Sequence, residues 1–328
     1  MTMDGLHAVG RKNLWDQPVY AHFLEEIDPY HDTGHFRPRS KAYDGSTTFW
    51  SIPSPEPQLP DSFWDLVEQG FPHPLLQTAA AALAAGIATR YPDDQHIVFV
   101  AILRAGVPIA DWLTRLLPGT TAIATSLFCG LGVDRVAITH LKQTYPDRRL
   151  IFVDGWTGRG GVAREIAQRA DAPLAVLIDP WGWADVAGSR EDIFCPSACF
   201  TGPATLGFSR TFYRNDQQRF SAYLFPERYT RPQMIHTWQA ACPSTISQPL
   251  PPGDRFFTPT NLRVHSNEVC RALINAHPTT IYFATSRHEA YEHYRLLLEL
   301  AEWRAVPSIF DAGWLDDYQT CVACELTT

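Results

Sequence analysis

Short apolar runs alternate with helix-length amphipathic segments through the middle of the chain. Apolar runs bounded by turns are typical of strands buried on both faces of a sheet, and apolar residues spaced three or four apart are typical of the helices that cover it. This alternation predicts an α/β fold with an open parallel sheet, right-handed crossovers and helices on both faces. The predicted strands are 96–103, 121–128, 149–154 and 174–179, and the helices between them are 109–117, 134–144 and 162–169.

The segments that flank this alternation follow other patterns. Residues 1–60 have weak periodicity and predict one helix, 19–27, before helices at 61–69 and 74–91. Residues 181–216 are rich in Gly, Trp and Cys and predict an ordered loop region over the sheet edge. The last segment predicts a helix at 266–276 capped by Ser266, a strand at 279–285, one long helix at 288–305 and a strand at 307–312.

These patterns divide the chain into four parts. A run of Pro, Ser and Thr residues is typical of a linker and separates a compact last unit from the rest. The predicted parts are an N-terminal extension with helices (1–90), the sheet domain (91–232), the linker (233–261) and a small α/β domain (262–328).

The composition is that of an ordinary globular protein. Of 328 residues, 45% are hydrophobic, and the mean hydropathy of −0.17 argues against disorder. A net charge of −8 argues against broad binding to nucleic acid or to a membrane surface. Neither a signal peptide nor a membrane helix is visible, so we expect a cytoplasmic protein with no membrane partner. The seven cysteines are therefore expected to be free thiols.

Polar residues and glycines lie at the carboxyl end of each predicted strand of the sheet. They are Arg104, Cys129-Gly130, Asp154-Gly155 and Asp179-Pro180. In open parallel sheets ligands bind beyond the carboxyl ends of the strands, so these residues predict a binding site at that edge.

The turn after the third strand carries the strongest local signal. Asp154 is followed by Gly155, Gly158, Gly160 and Gly161, and then by a helix. Glycines allow backbone N–H groups to approach a phosphate, and the helix dipole favours negative charge there. Because a carboxylate can accept hydrogen bonds from sugar hydroxyls, the turn predicts a pocket for a phosphorylated sugar. A glycine-rich turn without a ligand is the alternative.

Two segments resemble loops of type I phosphoribosyltransferases. The turn from Asp154 to Gly161 is similar to the ribose-5-phosphate loop, with Gly155 in place of a second acid and Arg159 in place of a threonine. The run Leu103-Arg104-Ala105-Gly106 resembles the pyrophosphate loop of the uracil-specific members. The two motifs occur in the order that the family has.

A wider resemblance covers most of the chain beyond residue 60. The segments FVDGWTGRGG and DPWGWADVAGSREDIFCPSA, together with the last unit, resemble the StiP family. Its members are labelled cysteine proteases, carry a phosphoribosyltransferase-like domain and occur with tellurium-resistance genes. The resemblance implies a role in making a nucleoside-like metabolite, and it matches Arg104, Gly106, Asp134, Arg135, Asp154, Gly155, Trp156, Thr157, Gly158, Gly160, Asp179 and Asp185.

A thiol protease needs a histidine that activates its cysteine. Cys129 and His140 are the candidate pair, but no local signature supports them. Cys195, Cys199, Cys321 and Cys324 have the spacing of a zinc site, although buried free thiols are the favoured interpretation. The sequence therefore does not predict peptidase activity.

The resemblances imply a phosphoribosyltransferase that moves the phosphoribosyl group of 5-phosphoribosyl 1-diphosphate (PRPP) to a small heterocyclic acceptor and releases pyrophosphate. Asp154 and Arg104 would be catalytic, and Mg²⁺ would neutralise the diphosphate. The donor-binding residues would be Leu103, Ala105, Gly106, Gly155, Trp156, Thr157, Gly158, Arg159, Gly160 and Gly161. The acceptor-binding residues would be Asp134, Arg135, Asp179, Trp181, Trp183 and Asp185. A non-catalytic nucleotide sensor and an RNA-associated adaptor are the alternatives.

The last unit resembles the RNA-binding domain of L7Ae ribosomal proteins and Pelota. Asn267-Glu268 opening a helix, the apolar strand and the long helix carry this resemblance. The unit is acidic, which disfavours RNA because phosphate contacts dominate RNA affinity. Packing or formation of a homodimer is the alternative role.

Overall fold

The computed structural model describes residues 11–37, 51–92, 96–208, 211–257 and 262–326. The strands are β1 (His22–Glu26), β2 (Ile97–Ile102), β3 (Thr121–Thr125), β4 (Leu127–Phe128), β5 (Gly132–Val133), β6 (Arg149–Trp156), β7 (Leu174–Ile178), β8 (Val186–Ser189), β9 (Phe212–Arg214), β10 (Arg219–Leu224), β11 (Arg263–Val264), β12 (Pro278–Phe283), β13 (Ser308–Ile309) and β14 (Val322–Leu326). The helices are α1 (Asp61–Gln69), α2 (Pro74–Arg90), α3 (Gly106–Leu116), α4 (Arg135–Thr144), α5 (Gly161–Arg169), α6 (Gly202–Thr205), α7 (Pro232–Ala240), α8 (Ser266–Asn275), α9 (Arg287–His293) and α10 (Arg295–Trp303).

A five-stranded parallel sheet with the order β3-β2-β6-β7-β8 lies at the centre of residues 97–189. Strands β2 and β7 are buried along their whole length, as their continuous apolar sequences require. Helices α2 and α3 contribute to the core on one face, and α4 and α5 contribute to the core on the other. The predicted open α/β sheet is confirmed. The strand order reverses between β2 and β6, where ligands bind in such sheets.

Strand β8 lies within the segment that the sequence predicts as loop, so that prediction is wrong at this point. Its sequence, Val-Ala-Gly-Ser, lacks an extended apolar run. A Cβ atom at Gly188 would lie 2.3 Å from the carbonyl oxygen of Ala79. The small residues of the strand and of α2 thus let the helix approach the sheet closely, which a strand pattern does not reveal.

The predicted helix at 19–27 is also wrong, because this segment is strand β1. Just before it, the Tyr20 amide donates to the Ala124 carbonyl (2.9 Å), and the Ala124 amide donates to the Pro18 carbonyl (2.8 Å). Strand β1 then pairs in parallel with β10, which pairs with β9. Tertiary pairing overrides the local helical preference here.

Helix α7 occupies the first part of the segment 233–261. Its Trp238 is buried and stacks on Trp112, with ring centroids 4.0 Å apart. The Trp238 indole donates to the Pro108 carbonyl, and the Trp112 indole donates to the Trp238 carbonyl. These contacts fix α7 on α3.

The last unit has a four-stranded sheet with the order β11-β14-β12-β13. Helix α8 packs on this sheet, and α10 packs on α8 and α9. The predicted long helix is two helices that meet at Tyr294, whose φ and ψ of −128° and 27° are not helical. Ser266 does not cap α8; it is the first helical residue, and His265 at the cap position has a φ of 71°. Ser286 caps α9 through a capping box with Glu289.

Hydrogen bonds fasten the last unit to the loop that follows β8. Asp192 accepts from the Ser266 amide (2.8 Å), the Cys321 amide (3.0 Å) and the Thr320 hydroxyl (3.0 Å). The buried Asn267 side chain accepts from the Cys195 amide and donates to the Ile193 carbonyl. The Asn267 side chain is thus committed to a contact within the chain.

Among the described helices, none has both the length and the apolar character that a membrane span needs.

Candidate functional site

A cavity of about 430 Å³ opens beyond the carboxyl end of β6. One wall is the turn between β6 and α5 together with Cys129, and the opposite wall comes from β11, α8 and β14 of the last unit. Six residues that the sequence analysis selects for the site line this cavity: Asp154, Trp156, Thr157, Gly158, Arg159 and Gly161.

Cys129 lies at the tip of the β4–β5 hairpin and is exposed. Two residues of α5 hold the hairpin in place. Glu165 accepts a hydrogen bond from the Gly130 amide, and Arg169 donates to the Leu131 carbonyl (3.1 Å). A Cβ atom at Gly161 would lie 3.1 Å from the sulfur, so the thiol sits beside the first turn of α5.

The electrostatic environment of the Cys129 thiol is mixed. Desolvation against α5 and the charges of Glu165 and Asp154 raise its pKa, whereas Arg164 and Arg263 lower it. The net pKa is above the ordinary value of 9.0. The thiol is therefore mainly protonated at neutral pH and needs a base to become a nucleophile.

The other cysteines are less accessible than Cys129. Cys195, Cys199, Cys270 and Cys324 are buried, and Cys242 and Cys321 are partly buried. Burial raises the pKa of Cys195 to about 11 and that of Cys324 to about 12. Buried thiols of this kind are inert, so Cys129 is the candidate for thiol chemistry.

Asp154 lies near the end of β6 and is 9% exposed. Desolvation raises the pKa of its carboxyl group to about 7, and the Gly155 amide (2.7 Å) and the charge of Arg271 only partly oppose that rise. A carboxyl group with this pKa can accept or donate a proton near neutral pH, as a general acid or base must.

At two positions of the turn, steric contacts explain why the residue is glycine. Gly160 has a φ of 73°, and a Cβ atom there would lie 2.2 Å from the Trp183 ring. At Gly155 a Cβ atom would lie 2.5 Å from Ser197 Oγ, so the position of the missing second acid has no room for a side chain. Gly160 also caps α5, whose first amides have no partner within the helix.

Four arginines and two acids line the cavity. The arginines are Arg159, Arg164, Arg263 and Arg271, and the acids are Asp154 and Glu268. Arg263 and Glu268 are paired at 3.1 Å. The cavity thus favours anionic groups although the whole chain is acidic.

The Leu103-Arg104-Ala105-Gly106 loop lies behind the cavity wall. A Cβ atom at Gly106 would lie 2.1 Å from the Val153 carbonyl oxygen, so the loop packs against β6. Arg104 is buried, forms an ion pair with Glu56 and donates to the Phe200 carbonyl (3.2 Å). Neither Arg104 nor its neighbours line the cavity.

The residues expected to bind the acceptor lie elsewhere. Asp134 caps α4 by accepting from the Val136 and Ala137 amides, and the neighbouring Arg135 is exposed. Asp185 accepts from the Leu174 amide (2.9 Å) and pairs with Arg90.

The segment from Asp179 to Trp183 has structural contacts of its own. Asp179 accepts from the Trp183 and Ala184 amides and pairs with Arg190. Trp181 is fully buried, and its indole donates to the Tyr318 carbonyl (2.9 Å). Trp183 packs over Gly160, with the Arg164 guanidinium 5.0 Å from its ring centroid.

His140 does not line the cavity with Cys129. Its Nε2 is 3.3 Å from Thr144 Oγ1, and its ring contacts Tyr20. Arg263, Glu268 and Arg271 do line it, although no sequence pattern predicts them as residues of this site. They are distant in sequence from the turn, and no local pattern identifies them.

No group of three or more His, Cys, Asp or Glu residues within the described ranges could hold a metal ion. Of the four cysteines with zinc-like spacing, Cys199 has its sulfur 3.6 Å from that of Cys270 in α8.

A sequence model of the StiP family, described as tellurite-like stress resistance cysteine protease StiP, matches residues 45–232. This is more than half of the chain. The chain belongs to the StiP family. The match includes the sheet and the Cys129 wall of the cavity, whereas the last unit lies outside it.

A relative from Acinetobacter baylyi (strain ATCC 33305 / BD413 / ADP1) is named cysteine protease StiP. It is 30% identical over 117 residues, which are 32% of this chain and 30% of the relative. The chain thus spans less than a third of the length of this curated relative. No solved structure matches the chain.

These comparisons confirm the resemblance to the StiP family and overturn the function predicted from sequence. The family and the relative are both named as cysteine proteases, and neither name refers to a phosphoribosyltransferase. The predicted transfer of a phosphoribosyl group from PRPP is therefore wrong, and peptidase activity, which the sequence does not predict, is the activity that both names give.

Proposed function

We propose that the chain is a cysteine-dependent peptidase in which Cys129 is the nucleophile. The observation that carries this proposal is the position of Cys129, an exposed cysteine on the wall of a cavity that also contains Asp154 and the start of α5. The names of the StiP family and of the relative agree with this activity.

Asp154 is the proton acceptor in the proposed mechanism. Both groups line the same cavity, and the Asp154 charge contributes to the raised pKa of the Cys129 thiol. With a pKa of about 7, a substantial fraction of Asp154 is ionised at neutral pH and can take the thiol proton as the sulfur attacks the scissile carbonyl carbon. Asp154 thus takes the role that a histidine has in many thiol proteases.

The start of α5 provides the electrostatic stabilisation. The first amides of α5, from Gly161 and Val162, have no partner within the helix, and Gly161 lies beside the Cys129 sulfur. An oxyanion that forms on the attacked carbonyl accepts hydrogen bonds from these amides, and the positive end of the helix dipole stabilises its charge. In other enzymes one such donor contributes about 3 kcal/mol to the transition state.

The remaining steps use the same groups. The tetrahedral intermediate collapses to a thioester when the C–N bond breaks and the protonated Asp154 gives its proton to the leaving amine. A water molecule then attacks the thioester carbonyl, and Asp154 accepts the proton of this water. The C–S bond then breaks, and the protonated Asp154 returns its proton to the sulfur, so that release of the carboxylic acid product leaves the Cys129 thiol and an ionised Asp154.

Peptide cleavage by matched cysteine variants tests the proposal. A library of internally quenched peptides is incubated with the wild-type chain, Cys129→Ser and Cys242→Ser. Cys242 is partly buried and lies outside the cavity, so its variant is the control. We expect cleavage by the wild type and Cys242→Ser, and none by Cys129→Ser. Undiminished cleavage by Cys129→Ser would overturn the assignment of the nucleophile.

Several finer expectations stay predictions. They are the phosphoribosyltransferase-like type of the sheet, the L7Ae-like type of the last unit, the use of Mg²⁺, the cytoplasmic location, and the formation of a homodimer. The regular parallel sheet and the small α/β form of the last unit support the two fold assignments. The proposed peptidase mechanism depends on none of these predictions.

A further inference from the structure

The wall that the last unit contributes to the cavity is positively charged. Arg263 and Arg271 come from β11 and α8, and both act on the proposed catalytic groups. Arg263 lowers the pKa of Cys129, and Arg271 lowers that of Asp154. Both arginines line the same cavity as Cys129 and Asp154, so an anionic group that they hold lies close to the reacting atoms.

Several polar atoms on the cavity wall are buried and lack a hydrogen-bond partner among the described residues. They are Thr157 Oγ1, Arg159 Nε and Glu268 Oε2. Thr157 is only 4% exposed. Because buried polar groups in proteins are almost always hydrogen-bonded, such atoms gathered around one cavity indicate that a polar ligand completes them.

We propose that the cavity selects peptides with a carboxylate side chain next to the scissile bond, and that Arg263 and Arg271 of the last unit bind this carboxylate. The inference rests on the proposed function, since it takes the cavity as the substrate site. A guanidinium group matches a carboxylate in a planar, bidentate arrangement, which a neutral amide cannot reproduce. A peptide without the carboxylate does not form this interaction and therefore binds more weakly. The difference between the two binding free energies is the selectivity.

Glu268 is a positioning residue for this arrangement. Its Oε1 accepts from Arg263 Nη1 at 3.1 Å and so orients the guanidinium group. Its Oε2 lies near the turn, since a Cβ atom at Gly158 would be 2.9 Å from it. This second oxygen is an acceptor for a backbone N–H of the peptide.

Alkylation of Cys129 measures the anion preference without any need for turnover. The rates for iodoacetate and iodoacetamide, which differ in a carboxylate and a neutral amide, are followed by mass spectrometry of the peptide that contains Cys129. Their ratio is compared with the ratio for the same cysteine in a free peptide. We expect the folded chain to raise the ratio about tenfold, as a positively charged cleft concentrates an anion.

Variants of the arginines show which residues cause the preference. Arg271→Gln and Arg263→Gln should each lower the ratio toward that of the free peptide. Arg271→Lys keeps the charge but not the planar bidentate geometry, so its ratio should lie between those of the wild type and Arg271→Gln. Arg295→Gln is the matched control, because Arg295 pairs with Glu299 on α10 and does not line the cavity. A wild-type ratio no greater than that of the free peptide, or equal losses in Arg295→Gln and Arg271→Gln, would overturn the proposal.

Protection of Cys129 from iodoacetamide separates a carboxylate peptide from a simple anion. We compare a blocked glutamyl peptide, its glutaminyl counterpart and inorganic phosphate at the same concentration. Protection by the glutamyl peptide alone supports the proposal. Equal protection by both peptides, or protection by phosphate but not by the glutamyl peptide, refutes it.

The two proposals fail in different ways. If Cys129→Ser still cleaves peptides while the iodoacetate preference is present and depends on Arg271, the catalytic role of Cys129 is wrong and the anion site stands. If Cys129→Ser is inactive but the preference is absent, the peptidase stands and the selectivity is wrong.

Discussion

Arg104 and Glu56 form an ion pair that is buried on both sides, with the Arg104 side chain 5% exposed and that of Glu56 0% exposed. Glu56 belongs to the segment before α1 that has no helix or strand, and Arg104 follows β2. The pair therefore fixes the loop after β2 from outside the sheet. The resemblance to a pyrophosphate loop implies that this arginine binds a ligand, whereas the structure gives it a partner within the chain.

Removing one member of this pair should destabilise the fold strongly. Glu56→Ala leaves a buried guanidinium group without its carboxylate, and we expect the free energy of unfolding to fall by about 3–5 kcal/mol. Urea denaturation measures this change. Asp61→Ala is the control, because Asp61 pairs with Arg231 but is 87% exposed, and its loss should cost less than about 1 kcal/mol. Similar losses in the two variants would contradict the structural role.

The sequence predicts an element correctly where the residues of that element alone indicate its burial or its turn. The apolar runs of β2, β6 and β7 need a site buried on both faces, and the glycines after Asp154 need a turn before a helix. The sequence does not predict strand β8, because its small residues are explained only by the approach of α2. It does not predict strand β1, because the strand's partners are distant in the sequence.

The same distinction applies to the candidate site. Asp154 and the turn from Trp156 to Gly161 form one wall of the cavity and are contiguous in sequence, so pattern alone selects them. Arg263, Glu268 and Arg271 reach the cavity only because Asp192 and Asn267 dock the last unit on the loop after β8. The sequence contains no local signal of that docking.

The accessibility of the thiols predicts a simple labelling pattern. Cys129 is exposed, whereas Cys195, Cys199, Cys270 and Cys324 are buried. We expect one fast-reacting thiol in the native chain with Ellman's reagent, and reaction of the buried thiols only after unfolding. Since the pKa of Cys129 is raised above 9.0, its rate should still increase with pH at pH 9. A fast phase that persists in Cys129→Ser would contradict this assignment.

Asp154 should make the stability of the protein depend on pH. Its pKa is about 7 in the folded chain against an ordinary value of 3.8, so between these values the folded chain binds the proton more tightly than the unfolded chain. Stability from this group is thus fully present below about pH 4 and is lost as the pH rises through about 7, by up to about 4 kcal/mol. Urea denaturation at pH 5 and pH 8 measures more than half of this loss, about 2.6 kcal/mol.

Asp154→Asn separates this effect from that of other titrating groups. The neutral amide has no charged form to desolvate, so the variant should gain stability relative to the wild type as the pH rises from 5 to 8. It should also lose peptide cleavage, because an amide does not accept the thiol proton. A stability difference between variant and wild type that is the same at both pH values would show that the carboxyl group is already ionised at pH 5.

Glu165 should position the nucleophile without contacting the substrate carbonyl. It accepts from the Gly130 amide next to Cys129 and pairs with Arg169 (3.1 Å), which itself donates to the same hairpin. Glu165→Ala releases the hairpin, and because small misplacements of reacting groups cost up to about 100-fold in rate, kcat should fall about 10- to 100-fold with little change in KM. Glu165→Gln keeps an acceptor for Gly130 and should retain most of the activity.

Since Glu165 also raises the pKa of the Cys129 thiol, both variants should shift the alkylation of Cys129 to lower pH. Glu299→Ala is the control, as it breaks the equivalent pair with Arg295 on α10 away from the cavity. If Glu165→Ala and Glu299→Ala have the same kcat and the same alkylation profile, the hairpin does not depend on Glu165.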